Sequence, residues 1–246
     1  MDLLTESEQS TLNFKYQDIK AVIFDVDGTL YSLKKMYRIM RLEMLKYYLK
    51  HPLHLPEVKI VTNFINEREK NVLNIVDDLE NAQYEWAAEV SGVSIEQVRK
   101  LVQKWIFQEP LKHIYSCRHP EVLELFKNVA NRGLATAVFS DYPARDKLSQ
   151  LGLSPNCIVS STDKNVGRLK PDPKGLLLVA ETLGIAVENC LFIGDRDDRD
   201  GECARRAGMP YLILEKGKNT QTVKPNLLSN LFCEIEDNDK QIPVQS

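Results

Sequence analysis

Two acidic residues follow a short apolar run near the start of the chain. Ala21–Phe24 contains only aliphatic and aromatic residues, a pattern typical of a strand buried on both faces. Asp25 and Asp27 lie two positions apart, so in a continued strand their carboxylates are expected to share one site. Gly28 then gives the backbone freedom to turn close to a ligand. Because two adjacent like charges need a neutralising partner, the pattern indicates a divalent cation.

The main alternatives for this stretch are a solvated Asp-rich turn and a calcium loop. A calcium loop of the helix-loop-helix type requires a Glu about nine residues after Asp27. Met36 occupies that position, and a predicted strand precedes the acids. The calcium loop is therefore excluded, whereas a solvated turn stays open on these residues alone.

Further polar residues follow other apolar runs in the second half of the chain. Ser140 comes directly after Val138 and Phe139, and Lys170 lies in a Lys-Pro-Asp-Pro turn before a predicted helix. The loop after 191–194 contains four acids, Asp195, Asp197, Asp198 and Asp200. Taken singly, each favours a helix cap, a surface turn or a solvated cluster. Their common position at strand ends favours one functional site.

The elements that position these residues alternate between strand and helix after residue 117. Apolar runs predict strands at 134–139, 157–160, 190–193 and 211–214, and helical periodicity predicts helices at 144–151, 173–183 and 201–207. This alternation is typical of a parallel sheet with helices on both faces, in which ligands bind at the carboxyl ends of the strands. Between 31 and 116 the pattern predicts helices only, so this segment is expected to be a helical insertion.

The helical insertion carries three apolar patterns of its own. The first stripe runs from Leu33 to Tyr48, the second from Val72 to Val90, and the third starts at a capping box at Ser94. A basic face of the first helix contains Lys34, Arg38 and Arg41, for which a solvated surface is favoured over substrate contact.

Composition excludes several classes of function. The chain has 246 residues, 43% hydrophobic and 27% charged, with a formal net charge of −3. This balance gives no overall attraction to nucleic acid or to an anionic membrane. Five cysteines without metal-ligand spacing favour reduced thiols and a cytoplasmic location. Residues 1–18 are expected to form a loosely held leader, and the acidic tail 216–246 is expected to be peripheral.

The motifs resemble, in order, those of the haloacid dehalogenase (HAD) superfamily of phosphohydrolases. The resemblance rests on Asp25-Val-Asp-Gly-Thr-Leu30, Ser140, Lys170-Pro-Asp-Pro173 and the pair Asp195 and Asp200. It implies an α/β fold, with a Rossmann-like doubly wound parallel sheet core and an inserted all-helical cap domain. The core is expected at 19–30 and 117–215 and the cap at 31–116, as in phosphoglycolate-phosphatase-like and β-phosphoglucomutase-like members.

The resemblance also implies how the first two acids divide the chemistry. Asp25 is the expected nucleophile, forming an aspartyl-phosphate that water can hydrolyse. Asp27 is expected to protonate the leaving alcohol and then to deprotonate the attacking water. We expect neighbouring acids and burial to raise the pKa of Asp27 for the first of these steps.

The phosphate and metal ligands follow from the same resemblance. The residues expected to contact phosphoryl oxygens are Asp25, Val26, Asp27, Ser140, Asp141 and Lys170, with Ser140 and Lys170 also counted as catalytic. Mg²⁺ is expected to bind Asp25, the main-chain carbonyl of Asp27 and Asp195. Asp200 is expected in the outer shell of the metal, although Asp198 competes with it for this role. Arg196 and Arg199 are expected to pair with Asp197 and Asp198.

These features predict a magnesium-dependent phosphatase that acts on a small phosphorylated metabolite, as a monomer or homodimer. Tyr31 and Tyr142 are expected to line the pocket, and Arg145 either assists phosphate binding or is only a surface residue. One alternative is a phosphomutase of the β-phosphoglucomutase type, which would return the phosphoryl group to a sugar. A second is a non-catalytic interaction protein that has kept the fold.

Overall fold

The computed structural model describes residues 18–119, 121–214 and 222–223. The leader that the sequence predicts over 1–18 lies outside these ranges except for Asp18, and so does the tail 216–246 apart from 222–223. Cys233 also lies outside them. The other four cysteines are unpaired thiols in buried positions, as expected from their spacing. No helix of the described residues is long and apolar enough to cross a membrane.

The core is a parallel sheet with the strand order β3-β2-β1-β4-β5-β6. The strands are β1 (Ala21–Phe24), β2 (Ala135–Ser140), β3 (Cys157–Ser160), β4 (Cys190–Gly194), β5 (Tyr211–Leu214) and β6 (Thr222–Val223). The chain runs outward from β1 in one direction through β2 and β3, and then crosses back to β4. This reversal beside β1 is the position at which doubly wound sheets bind ligands.

Helices cover both faces of the sheet. The helices of the core are α6 (Val122–Asn131), α7 (Arg145–Leu151), α8 (Lys174–Leu183) and α9 (Glu202–Ala207). Val22 and Phe24 of β1 face a core shared with α6 and α7, whereas Ala21 and Ile23 face a core shared with α8 and α9. All four residues of β1 are fully buried, so the continuous apolar run reflects burial on both sides.

The segment between β1 and β2 is helical up to residue 117. Its helices are α1 (Leu33–Lys50), α2 (Glu57–Lys70), α3 (Leu79–Ser91), α4 (Ile95–Val102) and α5 (Glu109–Cys117). The turns of Gln103–Gln108 are π-helical and join α4 to α5 without a break. The prediction of an α/β core with an inserted all-helical cap is therefore confirmed.

The second apolar stripe of the insertion was predicted correctly only in part. Of its predicted members, Ile75 and Val90 are exposed, whereas Leu79 and Ala82 are buried. The buried face of α3 contains these two residues together with Gln83, Tyr84, Ala87 and Ala88. Asp78 accepts a hydrogen bond from the amide of Asn81 and caps the helix, which fixes its start later than the apolar spacing suggested.

Candidate active site

The parallel register brings the ends of β1, β2 and β4 together. Phe24 of β1 pairs with Val138 of β2 and with Ile193 of β4. Asp25 and Ser140 therefore lie at the same carboxyl-terminal edge of the sheet, on neighbouring strands, and the acidic loop follows β4 at this edge. The register of the sheet thus brings the site residues predicted on these three strand ends to one edge.

Lys170 lies at the centre of the assembled residues. Its Nζ is 2.6 Å from Oδ1 of Asp25 and 2.7 Å from Oδ1 of Asp200, and its side chain is almost fully buried. The Thr29 hydroxyl donates to the other oxygen of Asp25 at 3.0 Å. Burial alone would lower the pKa of Lys170, but Asp200 and Asp25 raise it well above its ordinary value. The two carboxylates therefore favour the cationic form of Lys170.

Three buried carboxylates form a group suited to a hard cation. Oxygens of Asp25, Asp195 and Asp200 lie within 4.8 Å of one another. Burial, together with the charges of Asp200, Asp195 and Asp27, raises the pKa of Asp25 to about 8, although Lys170 opposes this shift. The three carboxylates outnumber the single ammonium of Lys170 that contacts them, so the group favours the binding of a further cation. An all-oxygen set of this kind matches Mg²⁺.

The loop after β4 separates its four acids into different environments. Asp200 Oδ2 accepts hydrogen bonds from the amides of Asp195 and Arg196, at 3.1 and 3.0 Å. Asp198 instead points to solvent with its side chain 67% exposed, and Asp197 pairs with Arg205. Of the two candidates for the second acid of this loop, the structure brings Asp200 into the carboxylate group and leaves Asp198 outside it.

Gly28 permits the close approach of Asp195. Its φ of +106° is unfavourable for other residues, and a Cβ there would lie 2.3 Å from Oδ2 of Asp195. The glycine of the first motif thus provides both the turn and the room for the acid of the last motif.

Asp27 is held by a lysine that the sequence prediction missed. Lys147 Nζ lies 2.6 and 2.7 Å from the two carboxylate oxygens of Asp27, and the Tyr31 hydroxyl also donates to this carboxylate. Burial favours a raised pKa for Asp27, but Lys147 and Tyr31 outweigh it and hold the pKa below its ordinary value. The expectation of a raised pKa was wrong because it did not include this ion pair.

The turn after β2 is braced by side chains. The buried Ser140 Oγ accepts a hydrogen bond from the Tyr142 amide at 3.3 Å. The Asp141 carboxylate accepts from the Lys170 amide at 3.0 Å and from the Ser161 hydroxyl at 2.7 Å. Asp141 therefore ties the strand end bearing Ser140 to the segment bearing Lys170. Val26, the remaining predicted phosphate ligand, is buried between the two acids of the first motif.

Residues 19–208 match the family model of the haloacid dehalogenase-like hydrolases. The chain belongs to this family. The match covers most of the chain and includes every residue of the predicted site, so the resemblance inferred from the motifs is confirmed at the level of the family.

Individual members of the HAD family are similar over most of the chain. N-acetylmuramic acid 6-phosphate phosphatase of Pseudomonas aeruginosa is 30% identical over 82% of this chain and 84% of its own. Phosphoglycolate phosphatase of Shigella dysenteriae is 28% identical over 83% and 84%. The structure of 2-haloacid dehalogenase of Pseudomonas syringae is 19% identical, with a TM-score of 0.60 over 89% and 99% of the two chains. The structural likeness shows the fold alone.

Two consecutive residues of the cap helix α2 reach the catalytic core of this HAD hydrolase. Arg68 Nη2 donates to the main-chain carbonyl of Asp141 at 2.7 Å. The Glu69 carboxylate pairs with Arg196 at 3.1 Å and with the buried Arg199. The cap therefore contacts both the turn after β2 and the loop after β4.

The arginines of the last loop only partly follow the expected pairing. Arg196 pairs with Asp198 at 2.7 Å, as expected. Arg199 instead pairs with Glu69 and donates to the main-chain carbonyl of Lys170. These arginines connect the loop after β4 to the cap and to Lys170, and spacing within the loop could not indicate these contacts.

Sequence reasoning missed Lys147, Arg68 and Glu69. Lys147 carried a weak signal because it lies in the helix that follows Ser140 and falls on the buried side with Leu148 and Leu151. A lysine on a buried helix face requires a carboxylate partner, which points to the strand-end acids. Arg68 and Glu69 carried no comparable signal, since they lie in a charged segment of the insertion.

The other candidate substrate contacts divide into exposed basic residues and two tyrosines that are at least partly buried. Lys34, Arg38 and Arg41 are exposed, and so is Arg145. Tyr31 is buried, and its hydroxyl donates to the Asp27 carboxylate. Tyr142 is partly buried and lies between the core and the cap, 6.2 Å from the ring of Phe107.

Proposed function

We propose that this HAD hydrolase is a magnesium-dependent phosphatase that hydrolyses a small phosphorylated metabolite through an aspartyl-phosphate on Asp25. The observation that carries the proposal is the contact of Lys170 Nζ with Asp25 and Asp200, beside the carboxylate of Asp195. The group combines a nucleophile, a cation for phosphoryl oxygens and an acidic metal site in one buried place. The phosphatase activities named for the relatives support a phosphoric monoester as the substrate.

Asp25 is suited to attack phosphorus because its carboxylate is held in a fixed orientation. Lys170 binds one oxygen and Thr29 the other, which limits rotation of the side chain. In the first step an oxygen of Asp25 bonds to phosphorus while the bond from phosphorus to the leaving alcohol breaks. In the second step water attacks the same phosphorus and releases phosphate from Asp25.

Lys170 and Ser140 are the groups proposed to bind the transferring phosphoryl oxygens. Lys170 is cationic and buried, so its charge acts with little screening by solvent. Ser140 ends β2 at the same carboxyl-terminal edge of the sheet as Asp25, and its hydroxyl is a donor suited to a phosphoryl oxygen. We include the amides of Val26 and Asp141 as further donors at the same strand ends.

Mg²⁺ would bind the carboxylates of Asp25 and Asp195 and the main-chain carbonyl of Asp27. Asp200 would orient the loop after β4 without contacting the ion. Asp200 is already bound to Lys170 and to two amides, which favours a supporting role over direct ligation. When bound, the ion would offset the negative charge of the phosphoryl group and of the nucleophile.

Asp27 is proposed to move the proton in both steps. The carboxylate is ionised in the ion pair with Lys147, so it is ready to accept the proton of the attacking water. For the first step the proton would arrive with the substrate, because a phosphate monoester keeps one proton below its second pKa of about 6. Asp27 would take this proton and pass it to the oxygen of the leaving alcohol.

The cap favours small substrates. Helix α2 contacts the turn after Ser140 and the loop after β4 through Arg68 and Glu69. A cap in this position leaves little room for a polymeric substrate and shields the reacting group from bulk water.

The test is phosphate release from a panel of phosphorylated metabolites and from p-nitrophenyl phosphate. Parent protein with Mg²⁺ is expected to release phosphate, and Asp25→Asn is expected to lose at least about a thousandfold in rate because it removes the nucleophile at constant volume. Asp198→Asn, which alters an exposed acid of the metal loop, is the control and should retain activity. Turnover by Asp25→Asn, or activity unchanged after exhaustive chelation, would refute the proposal.

A further inference from the structure

Arg68 is a buried cation that forms no ion pair with a carboxylate of the described residues. The residue is 4% exposed, and Glu80 acts on its charge only from beyond ion-pair distance. Its guanidinium donates to two neutral oxygens instead, the side-chain amide oxygen of Gln83 and the main-chain carbonyl of Asp141. Because buried charges are normally paired, this arrangement is suited to an anion that binds from outside the chain.

Three other cations of the site already contact carboxylates. Lys170 contacts Asp25 and Asp200, and Lys147 contacts Asp27. Arg199 contacts Glu69. An additional anionic group entering the site would therefore be attracted more strongly by Arg68 than by these three cations.

Arg68 also lies on the side of the site where the leaving group is expected. Its guanidinium carbon is 4.2 Å from the ring centroid of Tyr142, and Lys147 Nζ is 5.3 Å from the same ring. Lys147 in turn holds Asp27, the residue proposed to protonate the leaving oxygen. Successive contacts therefore lead from Asp27 through Lys147 and Tyr142 to Arg68. This direction is from the expected leaving oxygen toward the cap.

We propose that Arg68 is a specificity-determining residue and that it selects phosphate esters whose leaving group carries a second anionic group, such as a carboxylate. This inference rests on the proposed phosphatase function. A carboxylate would replace neutral acceptors of the guanidinium with a charged one, and charge-assisted hydrogen bonds are about twice as strong as neutral ones. The planar donor pattern of arginine is matched to a carboxylate or phosphate.

The experiment compares two esters that differ only in this charge. Phosphoglycolate carries a carboxylate, and 2-hydroxyethyl phosphate has a neutral hydroxymethyl group in its place. The parent protein is expected to have a kcat/KM about tenfold to a hundredfold higher for phosphoglycolate. Arg68→Met keeps the apolar stem but removes the charge, and should bring this ratio close to one. Arg68→Lys should keep part of the preference.

Arg99→Met is the matched control. Arg99 also belongs to the cap and also lies over a tyrosine, with its guanidinium carbon 4.0 Å from the ring centroid of Tyr84. It pairs with Glu80 at 3.5 Å, so its charge is already partnered. The ratio between the two esters should not change in this variant.

The outcomes separate this inference from the proposed function. If neither ester nor p-nitrophenyl phosphate is hydrolysed, the phosphatase proposal itself fails. If the parent hydrolyses p-nitrophenyl phosphate but shows no preference for the anionic ester, only the role of Arg68 is refuted. An equal loss for both esters in Arg68→Met also refutes it, since Arg68 would then only join the cap to the core.

A binding measurement covers the case in which Arg68→Met turns over too slowly. Calorimetric titration of both esters into Asp25→Asn, and into the same variant with Arg68→Met added, gives their affinities without turnover. The second change should weaken phosphoglycolate binding about tenfold or more and leave 2-hydroxyethyl phosphate within about twofold. Equal weakening of both would overturn the assignment.

Discussion

The ammonium of Lys147 lies 2.6 and 2.7 Å from the two carboxylate oxygens of Asp27. Both side chains are largely buried, and they come from the helix after β2 and from the turn after β1. The pair fixes the orientation of the acid proposed to serve the leaving group. The two acids of the first motif therefore have different lysine partners, Lys170 for Asp25 and Lys147 for Asp27.

Lys147→Met should slow the hydrolysis of alkyl phosphates more than that of p-nitrophenyl phosphate. A misplaced Asp27 transfers protons poorly, and p-nitrophenolate leaves without needing a proton. We expect kcat to fall about a hundredfold for 2-hydroxyethyl phosphate and less than about tenfold for p-nitrophenyl phosphate. Arg145→Met, an exposed change on the same helix, is the control. Equal losses for both esters would assign Lys147 to stability alone.

Asp25→Asn should stabilise the metal-free protein at neutral pH. Folding raises the pKa of Asp25 to about 8, mainly through burial, from about 4 in an unfolded chain. Between these values the folded state binds more protons, so its free energy of unfolding falls as pH rises from about 4 to 8 and is level above. Asparagine does not titrate in this pH range, so the variant does not lose this part of its free energy of unfolding.

Urea unfolding in the presence of a chelator tests this prediction. The parent should lose stability between pH 5 and pH 8, whereas Asp25→Asn should lose less and be the more stable variant at pH 8. Added Mg²⁺ should stabilise the parent more than the variant, because the cation binds the ionised carboxylate. A parent that is more stable than Asp25→Asn at pH 8 without metal would contradict the expected cost of burying this charge.

Asp195→Asn should weaken Mg²⁺ binding far more than Asp198→Asn. Asp195 lies in the buried carboxylate group, whereas Asp198 is exposed and paired with Arg196. We expect a loss of affinity of about tenfold or more for Asp195→Asn and less than about twofold for Asp198→Asn. Isothermal titration with Mg²⁺ measures both, and similar effects of the two changes would show that the loop has been misassigned.

The core of the fold could be predicted because its signals are local. Four apolar residues in Ala21–Phe24 indicate a buried strand, and the turns at Gly152 and Gly184 mark helix ends in the left-handed conformation. The strand-end positions of Asp25, Ser140 and Asp195 then follow from the parallel arrangement. A strand that is buried on both faces is apolar throughout, so its own sequence indicates it without knowledge of distant segments.

The contacts between cap and core could not be predicted in the same way. Arg68 and Glu69 reach the site through the packing of α2, a helix whose start has no side-chain cap. The lowered pKa of Asp27 depends on Lys147, which is 120 residues away in the chain. Such pairings are set by tertiary packing, which residue spacing within one segment does not report.

Gly28→Ala should damage the proposed Mg²⁺ site in addition to straining the backbone. Gly28 and Gly184 both have positive φ, at +106° and +66°, but only at Gly28 would a Cβ clash with a site residue, Asp195. The left-handed conformation costs alanine about 1–2 kcal/mol at either position. Gly184→Ala should therefore lower stability and keep Mg²⁺ affinity, whereas Gly28→Ala should lose about tenfold or more in affinity as Asp195 moves away. Thermal unfolding and Mg²⁺ titration of the two variants measure the difference, and equal Mg²⁺ affinities would mean that Asp195 does not need the space beside Gly28.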